Sequence, residues 1–335
     1  MATIHDVAVK AGVSVATVSR LLNGTAYVSK ETSDKVFDAI KELNYHPNRI
    51  AQTLNTKKSL NIAMVVNDIS NPITATYVKG AETVSRECNY NFILCCTNFD
   101  IELEKKYINS LVEKQVDGII LSPCGVSDTH IEDAVSSGIP VVFITRRLPN
   151  IDADYIKFDD IDGGYKITKH LIDCGYKRIC AIGRDVYDVN FKNRLAGYKR
   201  AMEEAGLEYS ELDCSYGDAS MSSGYNAMRL FCERNTAKPD AVYASTSMIA
   251  AGVIQYCNEK KIVIPGDIAL ASFESFMEFN GIITPRVTHY NVPIFQLGYT
   301  AAEALFDKIK TERSENKQII LGGNVEIGES TISAR

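Results

Sequence analysis

The sequence predicts a small all-α domain of the helix-turn-helix type, followed by a larger α/β domain that is divided into two lobes. In the first 45 residues, stretches with helical spacing of apolar residues are separated by turn signals. From Asn61 onward, short apolar runs alternate with amphipathic helical stretches. This alternation is typical of parallel sheets covered by helices on both faces.

The first domain is expected to contain three helices. Thr3 and Asp6 have the spacing of a capping box, and Gly12 allows a left-handed end to the first helix. A second helix should run from Val15 to about Leu22, and Val36, Ile40 and Leu43 mark the apolar side of a third. Ser14 offers a cap for the second helix, and Ser29 and Thr32 offer caps for the third. The arrangement predicts a compact helix-turn-helix domain.

The second domain contains some ten short candidate strands over about 270 residues, too many for one sheet of ordinary size, so two lobes are expected. The clearest candidate strands are Ile62–Val66, Asn91–Cys95, Gly118–Leu121, Val141–Ile144, Arg178–Ile182, Ala241–Ala244 and Ala269–Phe273. Helical stretches between them include Lys79–Cys88, Glu102–Lys114, Tyr165–Cys174, Arg194–Ala205, Gly224–Glu233 and Ile249–Glu259. A ligand of such sheets is expected in the crevice at the carboxyl ends of the strands.

Charge is distributed unevenly along the chain. The net charge is −6, yet residues 1–58 hold eight Lys and Arg against five Asp and Glu, a net charge of +3. The remainder therefore carries −9. A basic domain joined to an acidic one is typical of a nucleic-acid-binding module coupled to a domain with another role.

Composition excludes several classes of protein. Hydrophobic residues make up 45% and charged residues 23%, as in ordinary soluble proteins, and no apolar run is long enough for a membrane span. The polar N-terminus predicts no secretory signal, so we expect a cytoplasmic protein. The nine cysteines include no Cys-x-x-Cys pair, and the five histidines are scattered. We therefore expect free thiols, no metal site and no cofactor.

Longer stretches resemble a known family. Ala2–Ala8, Ala11–Asn23, Val28–Thr32 and Ala39–Asn48 closely resemble the start of LacI/GalR-family repressors. Further matching stretches, in the order expected for the sensor domain of that family, are Asp68–Pro72, Gln115–Ile120, Gly138–Val142, Arg194–Tyr198 and Val263–Ala269. The resemblance covers the whole chain. It implies a body like that of periplasmic sugar-binding proteins, with two doubly wound parallel sheets and three crossings between lobes, near 160, 290 and 322.

The resemblance also implies domain boundaries: a DNA-binding domain over 1–46, a hinge helix and linker over 47–58, and an effector-binding and dimerisation domain over 59–335. The N-lobe would comprise about 59–160 and 291–321, and the C-lobe about 161–290 and 322–335. In the hinge, Ala51 and Leu54 would enter the minor groove, with Leu54 as an apolar wedge. The alternative is a plain linker in which Leu54 faces the body.

The helix from Val15 would lie in the major groove of DNA. Arg20 is the best candidate for reading a base, because its guanidinium can bond guanine O6 and N7 together. Val15 and Ala16 could contact thymine methyl groups. The alternatives are a phosphate contact for Arg20 and simple helix packing for the other two. Expected phosphate contacts are Thr17, Ser19, Asn23 and Tyr45.

Positions carried over from the family to the effector site are Ile73, Thr145, Arg194, Ala219, Thr246, Glu274 and Asn291. Aromatic and acidic residues common in the family are missing at several of them, such as Ala219 and Thr145. A sugar or sugar derivative is expected as the effector. Four arginines also leave room for a phosphorylated or acidic ligand, unless they are solvated or packed: Arg146, Arg147, Arg184 and Arg194.

The sequence therefore predicts a DNA-binding transcription regulator, in the first place a repressor, that binds a pseudo-palindromic operator as a homodimer under the control of a small molecule. An enzyme is not expected, since the phosphate-loop, dinucleotide-binding, nucleophile-elbow and His-Glu-x-x-His motifs are absent. Two alternatives stay open: control of the effector domain by a protein partner, and a cytoplasmic ligand-binding protein without a specific role on DNA.

Overall fold

The computed structural model describes residues 2–23, 26–45, 58–125, 129–148, 150–184, 188–234, 238–276, 283–311, 313 and 315–332, with the backbone alone for Asn23. The chain forms two compact units, Met1–Ser59 and Leu60–Arg335, here called the head and the body.

Three helices form the head: α1 (Ile4–Ala11), α2 (Val15–Asn23) and α3 (Lys30–Glu42). Helix α1 contacts both of the others. Their shared core consists of the buried side chains of Val7, Ala8, Val18, Val36 and Ala39. So small a core gives only marginal stability by itself. Hydrogen bonds at the helix ends are therefore expected to contribute a large share of the stability of the head.

The predicted capping groups are present in the head. The Asp6 backbone amide donates to Thr3 Oγ1 at 3.3 Å, and the Thr3 amide donates to Asp6 Oδ2 at 2.8 Å, which completes the capping box. Gly12 ends α1 in the left-handed region with φ of +68°. Ser29 accepts the amide of Thr32 at the start of α3. These short-range contacts confirm the predicted helix starts.

The first lobe of the body contains a parallel sheet of six strands, in the order β11-β5-β4-β3-β1-β2 among the described residues. Its strands are β1 (Asn61–Val66), β2 (Asn91–Cys96), β3 (Gly118–Leu121), β4 (Val141–Ile144), β5 (Asp154–Phe158) and β11 (Gln318–Leu321). Helices α4 (Pro72–Glu87) and α11 (Ile294–Thr311) pack together on one face. Helices α5 (Ile101–Glu113) and α6 (Thr129–Ser136) cover the other.

The second lobe has a six-stranded sheet in the order β12-β10-β9-β8-β6-β7, of which only the β10–β12 pair is antiparallel among the described strands. Its strands are β6 (Ile179–Arg184), β7 (Cys214–Gly217), β8 (Ala241–Ala244), β9 (Ala269–Ser272), β10 (Thr288–Asn291) and β12 (Asn324–Glu326). Its helices are α7 (Asp160–Asp173), α8 (Val189–Glu204), α9 (Met221–Glu233) and α10 (Ser247–Lys260).

The chain passes between the lobes three times, between β5 and α7, between β10 and α11, and between β11 and β12. These positions agree with the crossings expected near 160, 290 and 322. Five strands escaped the sequence prediction, namely β5, β7, β10, β11 and β12. Polar residues interrupt them, as Asp154 and Lys157 do in β5, so they lack the continuous apolar run that marks a buried strand.

Several body helices begin earlier than their apolar spacing predicts. Helix α4 begins at Pro72 instead of Lys79, α7 at Asp160 instead of Tyr165, and α8 at Val189 instead of Arg194. Their N-caps are Asn71, Asp159 and Asp188, whose side chains accept backbone amides of the first turn. The first turn of α7 is polar and contains glycine, so its apolar pattern starts later. The first turns of α4 and α8 already bury an apolar residue, Ile73 and Phe191 respectively, which the spacing of apolar residues did not assign to a helix.

Glycines allow α7 and α8 to approach each other closely. A Cβ atom at Gly164 would lie 2.0 Å from the Arg194 carbonyl oxygen, and one at Gly197 would lie 2.1 Å from the Ile161 carbonyl oxygen. Any side chain at position 164 or 197 would therefore clash with the backbone of the facing helix. The pair of glycines therefore brings the first turn of α7 against the second and third turns of α8, close to the functional groups described next.

Candidate nucleic-acid interface and ligand cleft

Helix α2 presents an exposed face opposite its buried side chain. Val18 is fully buried, whereas Val15, Ala16 and Arg20 are exposed. Ala16 and Arg20 are four residues apart and so lie on the same side of the helix. Residues 15–23 include no carboxylate. An exposed helix face with an arginine and no acidic group is suited to the negatively charged groove of DNA.

Of the four expected phosphate contacts, Thr17, Ser19 and Asn23 lie on α2 itself. Thr17 is half-buried, and its hydroxyl is 2.9 Å from that of Ser14, which also caps the helix. Ser19 is half-buried, and Tyr45 packs against the head core. The side chain of Asn23 lies outside the described residues, as do Ala51 and Leu54. The capped start of α2 adds a positive helix end, which favours a phosphate.

In the body, a cleft of about 650 Å³ opens at the carboxyl ends of the strands of both sheets. Its polar lining residues follow the strands directly. Asn67 follows β1, Ser122 follows β3, and Ser245 follows β8. Because both sheets end at the same crevice, groups from distant parts of the chain meet there. The volume is in the ordinary range for a small-molecule site.

Six of the seven expected effector residues line this cleft, namely Ile73, Thr145, Arg194, Ala219, Thr246 and Glu274. Asn291 does not. It lies at the end of β10, is exposed, and donates from Nδ2 to Glu326 Oε2 at 3.1 Å. The structure thus brings six of the residues together and places the seventh at the β10–β12 pair.

Arg194 is the central cation of the cleft and is itself buried. Its Nε donates to Asp160 Oδ1 at 2.9 Å, and Nη1 lies 3.6 Å from Glu274 Oε1. Its guanidinium also stacks on Phe273, 3.6 Å from the ring centroid. The cleft is therefore lined by an arginine that is already held between two carboxylates and also donates to the Ser245 carbonyl oxygen.

The pKa shifts in this cluster follow from burial and from the ion pairs. Burial raises the pKa of Asp160 and of Glu274, while Arg194 opposes both shifts. Burial also works to lower the pKa of Arg194, but the two carboxylates outweigh it and raise that pKa. The three groups therefore depend on one another for their charge.

Two residues of the cleft have a left-handed backbone. Thr145 has φ of +67° and Ala219 has φ of +58°. Such values are uncommon outside glycine, above all for a β-branched residue, and they concentrate at functional sites. The conformation places the hydroxyl of Thr145 within 3.1 Å of that of Ser122 at the rim of the cavity.

Sequence reasoning did not select several other residues of the cleft. Asp68, Asp188 and Asp218 contribute carboxylates, and Phe99 contributes an exposed ring that is stacked by Arg184 at 4.0 Å from its centroid. One signal was available, because each aspartate lies near the end of a strand and just before a helix, where polar side chains face the crevice. Phe99 had no comparable signal. It restores an aromatic surface that the family resemblance had suggested was missing.

Only two of the four arginines considered for an acidic ligand line the cleft itself. Arg184 Nη1 lies 3.5 Å from Asp188 Oδ2, and Arg194 is paired as described above. Arg146 donates from Nη2 to the carbonyl oxygens of Pro123 and Gly125. With Arg147 it lines a neighbouring cavity instead. The arginines are therefore not gathered in one place.

The cleft lining contains five carboxylates and two arginines, with amides, hydroxyls and aromatic rings beside them. Such a set can bond the hydroxyl groups of a small polar ligand and pack against its apolar face. Within the described parts of the chain, no three His, Cys, Asp or Glu side chains are grouped as metal ligands would be. The described helices also include none that is long and apolar enough to cross a bilayer.

Both regions have counterparts among known proteins. A sequence profile described as "Bacterial regulatory proteins, lacI family" matches residues 3–48. A second, described as "Periplasmic binding proteins and sugar binding domain of LacI family", matches residues 59–324. The two matches divide the chain much as the head and the body do.

Whole-length relatives are also found. The chain is 32% identical over 333 residues to the HTH-type transcriptional regulator DegA of Bacillus subtilis (strain 168), covering 98% of each chain. It is 32% identical over 321 residues to the HTH-type transcriptional repressor PurR of Pasteurella multocida (strain Pm70), covering 96% of this chain and 95% of the relative. Among solved structures, a transcriptional regulator CelR–cellobiose complex superimposes with a TM-score of 0.75 at 30% identity, covering 98% of this chain and all of the other.

Proposed function

The chain belongs to the LacI family of bacterial DNA-binding transcription regulators, and we propose that it is a repressor that binds a pseudo-palindromic operator as a homodimer. Two matched heads require two matched half-sites, which is why a two-fold operator follows from a two-fold protein. The similar protein PurR, which is described as a repressor, supports repression as the direction of regulation. We place the protein in the cytoplasm, where it would reach DNA, and assign it no enzymatic role.

The observation that carries the DNA-binding role is the face of α2. Arg20 is exposed on a helix without carboxylates, and the buried Val18 fixes which side of that helix faces outward. We propose that Arg20 reads a guanine in each half-site, while Val15 and Ala16 contact bases through apolar surface. Thr17, Ser19, Asn23 and Tyr45 would then set the register through phosphates.

Residues 47–58 would form the hinge between the DNA-binding domain over 1–46 and the effector domain over 59–335. Ala51 and Leu54 would enter the minor groove, where an apolar wedge bends the duplex. This part stays a prediction from the family resemblance, because residues 46–57 lie outside the described part of the chain.

The effector would be a small carbohydrate or a derivative of one, bound in the cleft. The carboxylates of Asp68 and Glu274 are suited to hydroxyl groups, and Phe99 offers a surface for a sugar face. The similar regulator that was solved with cellobiose supports this class. Binding can alter operator affinity only if the ligand prefers one of two conformations of the dimer.

The test is operator selection with the purified full-length protein. Duplexes enriched from a random pool should be two-fold symmetric, and fluorescence anisotropy should show that they bind far more tightly than random duplex. Affinity should fall steeply with salt, because phosphate contacts release counterions. Equal affinity for selected and random duplexes, with and without metabolite extract, would refute the proposal.

A further inference from the structure

A second cavity, which we call the side pocket, lies beside the cleft and has the opposite charge. It has a volume of about 420 Å³ and is lined in part by Arg146, Arg147, Lys157, Asn150, Asn190 and Asn193. Its charged lining residues are three cations, with no carboxylate among the described residues that line it. The cleft, by contrast, contains five carboxylates against two arginines. The two cavities therefore favour different chemical groups.

The side pocket adjoins the cleft, because the two cavities and a groove between them share lining residues. A connecting groove of about 390 Å³ is lined by Thr145, Arg184 and Asp188, which also line the cleft. It is further lined by Arg146, which also lines the side pocket, and Asn190 borders all three spaces. One ligand can therefore extend from the cleft into the side pocket.

The cations of the two spaces differ in how far they are already neutralised. In the cleft, Arg194 is held by Asp160 and Glu274, and Arg184 is close to Asp188. In the side pocket, Arg147 is exposed and forms no ion pair with another described residue. Lys157 is half-buried, donates from Nζ to the Phe158 carbonyl oxygen at 3.4 Å, and acts on the carboxylate of Asp160 only through its charge. An anionic group would therefore meet a net negative lining in the cleft and a net positive lining in the side pocket.

Neutral donors complete the side pocket. The amide groups of Asn190 and Asn193 come from the first turns of α8, and Asn150 comes from the segment between β4 and β5. Amide N–H groups can bond the oxygens of a phosphate or carboxylate that the cations attract. The pocket thus combines charge with hydrogen-bond donors, which is what oxyanion recognition requires.

From these observations we propose that the effector is an anionic carbohydrate, whose hydroxyl-rich part occupies the cleft and whose phosphate or carboxylate occupies the side pocket. The inference rests on the proposed function, since it names the ligand class of the same effector domain. It assigns Arg147 and Lys157 as the residues that distinguish the charged sugar from its neutral parent. Phosphate and carboxylate both supply an oxyanion on a sugar, and the experiment below distinguishes which of the two the effector carries.

The experiment is isothermal titration of the full-length protein with matched sets of a neutral sugar, its phosphate ester and its uronic or aldonic acid, built on glucose, ribose and cellobiose. At least one charged member should bind about tenfold or more tightly than its neutral parent, which corresponds to about 1.4 kcal/mol. A preferred phosphate ester identifies phosphate as the anion, and a preferred acid identifies carboxylate.

The variant is the double substitution Arg147→Ala and Lys157→Ala. Arg147 is exposed and Lys157 is half-buried, so we expect the variant to fold, and thermal unfolding checks this. It should abolish the tenfold preference and leave the affinity of the neutral sugar within about twofold. The matched control removes one half-buried and one exposed cation of α8 outside the pocket, Lys199→Ala and Arg200→Ala, and should leave the preference intact.

Binding of neutral sugars as tightly as charged ones, binding of no charged member, or a preference that survives the double substitution would each overturn the inference. Operator affinity is measured on the same samples. Intact operator selectivity with no preference for charged sugars overturns the ligand class alone, whereas loss of operator selectivity in the unsubstituted protein overturns the proposed function.

Discussion

Arg20 in the head and Arg194 in the body are both candidate ligand-binding arginines, but their surroundings are opposite. Arg20 is exposed on α2, and a different residue, Val18, anchors that helix. Arg194 is buried, hydrogen-bonded to Asp160 and stacked on Phe273. In the head, the groups that recognise a partner are separate from those that hold the fold. In the cleft, recognition and stability share the same side chains.

This difference has a physical basis. A DNA-reading side chain must reach outward to base edges in a groove, so burial would disable it. A cleft that encloses a small ligand must remove its polar groups from water, and a buried charge is tolerated only when it is paired. In the head, we therefore expect a substitution to change either binding or stability. In the body, we expect one substitution to change both.

The largest effect is expected for Arg194→Ala. The change leaves Asp160 and Glu274 buried without their counter-charge, and breaking a buried ion pair in this way typically costs about 3–5 kcal/mol. Chemical denaturation of the full-length protein would measure the loss in the body transition. The control is Arg200→Ala on the same helix, an exposed ion pair with Glu204 whose removal should change stability little. Equal effects of both substitutions would contradict the coupling.

The same variant has a characteristic pH dependence. Burial already raises the pKa of Asp160 and Glu274, and without Arg194 both pKa values should rise further. The folded variant then binds more protons than the unfolded chain, so its stability rises as pH falls. The deficit relative to the unsubstituted protein should be smaller at about pH 5 than at about pH 7. A deficit that grows on acidification would rule out unpaired carboxylates as its cause.

The next largest effect is expected for Val18→Ala in the head. Loss of the fully buried isopropyl group should destabilise the head by about 2–3 kcal/mol, from lost burial and the cavity left behind. Hydrogen exchange of the α1–α3 amides in the full-length protein would report it. Val9→Ala, at a side chain that is 69% exposed, is the control. Similar exchange in both variants would show that this small core does not hold the head together.

Arg20→Ala should weaken DNA binding without changing the stability of the head. We expect operator affinity to fall by about 1–3 kcal/mol and base preference to relax at one position in each half-site, with amide exchange in the head unchanged. Anisotropy titrations on operator and random duplex would measure both. Arg20→Lys keeps the charge without the two-pronged guanidinium, so it should restore general affinity but not base preference. If the alanine variant lost equal affinity on all duplexes, Arg20 would be a phosphate contact only.

The smallest effect is expected for Thr3→Ala, which removes the side-chain cap of α1. The loss should be about 0.5–2 kcal/mol of head stability, as for other N-cap threonines. Thr3→Ser keeps the hydroxyl and should be nearly neutral by the same exchange measurement. A loss as large in the serine variant would mean that the methyl group of Thr3, and not its hydroxyl, stabilises the helix start.

Prediction from the sequence succeeded where the deciding contacts are short in sequence. Thr3 caps a helix through Asp6, three residues away, and Ser29 does so through Thr32. It failed where contacts are long-range. Strand β5 forms because Asp154 pairs across the sheet with Val142 and is held by Arg313 in a distant segment. No local pattern contains that information, and so a strand with a buried aspartate was missed.

The sequence by itself determined the helical head and the alternation of strands and helices, because both follow from the local spacing of apolar residues. It also determined the family and the three crossings between lobes, because these follow from unbroken segments that match the family. The tertiary structure alone decided that Asp160 and Glu274 enclose Arg194, that Asn291 lies outside the cleft, and that Arg147 and Lys157 border the basic side pocket beside the cleft. The reason is geometric. Parallel strands bring their carboxyl ends together at one edge regardless of separation along the chain, so the chemical partners of each side chain are chosen by strand order and helix contact.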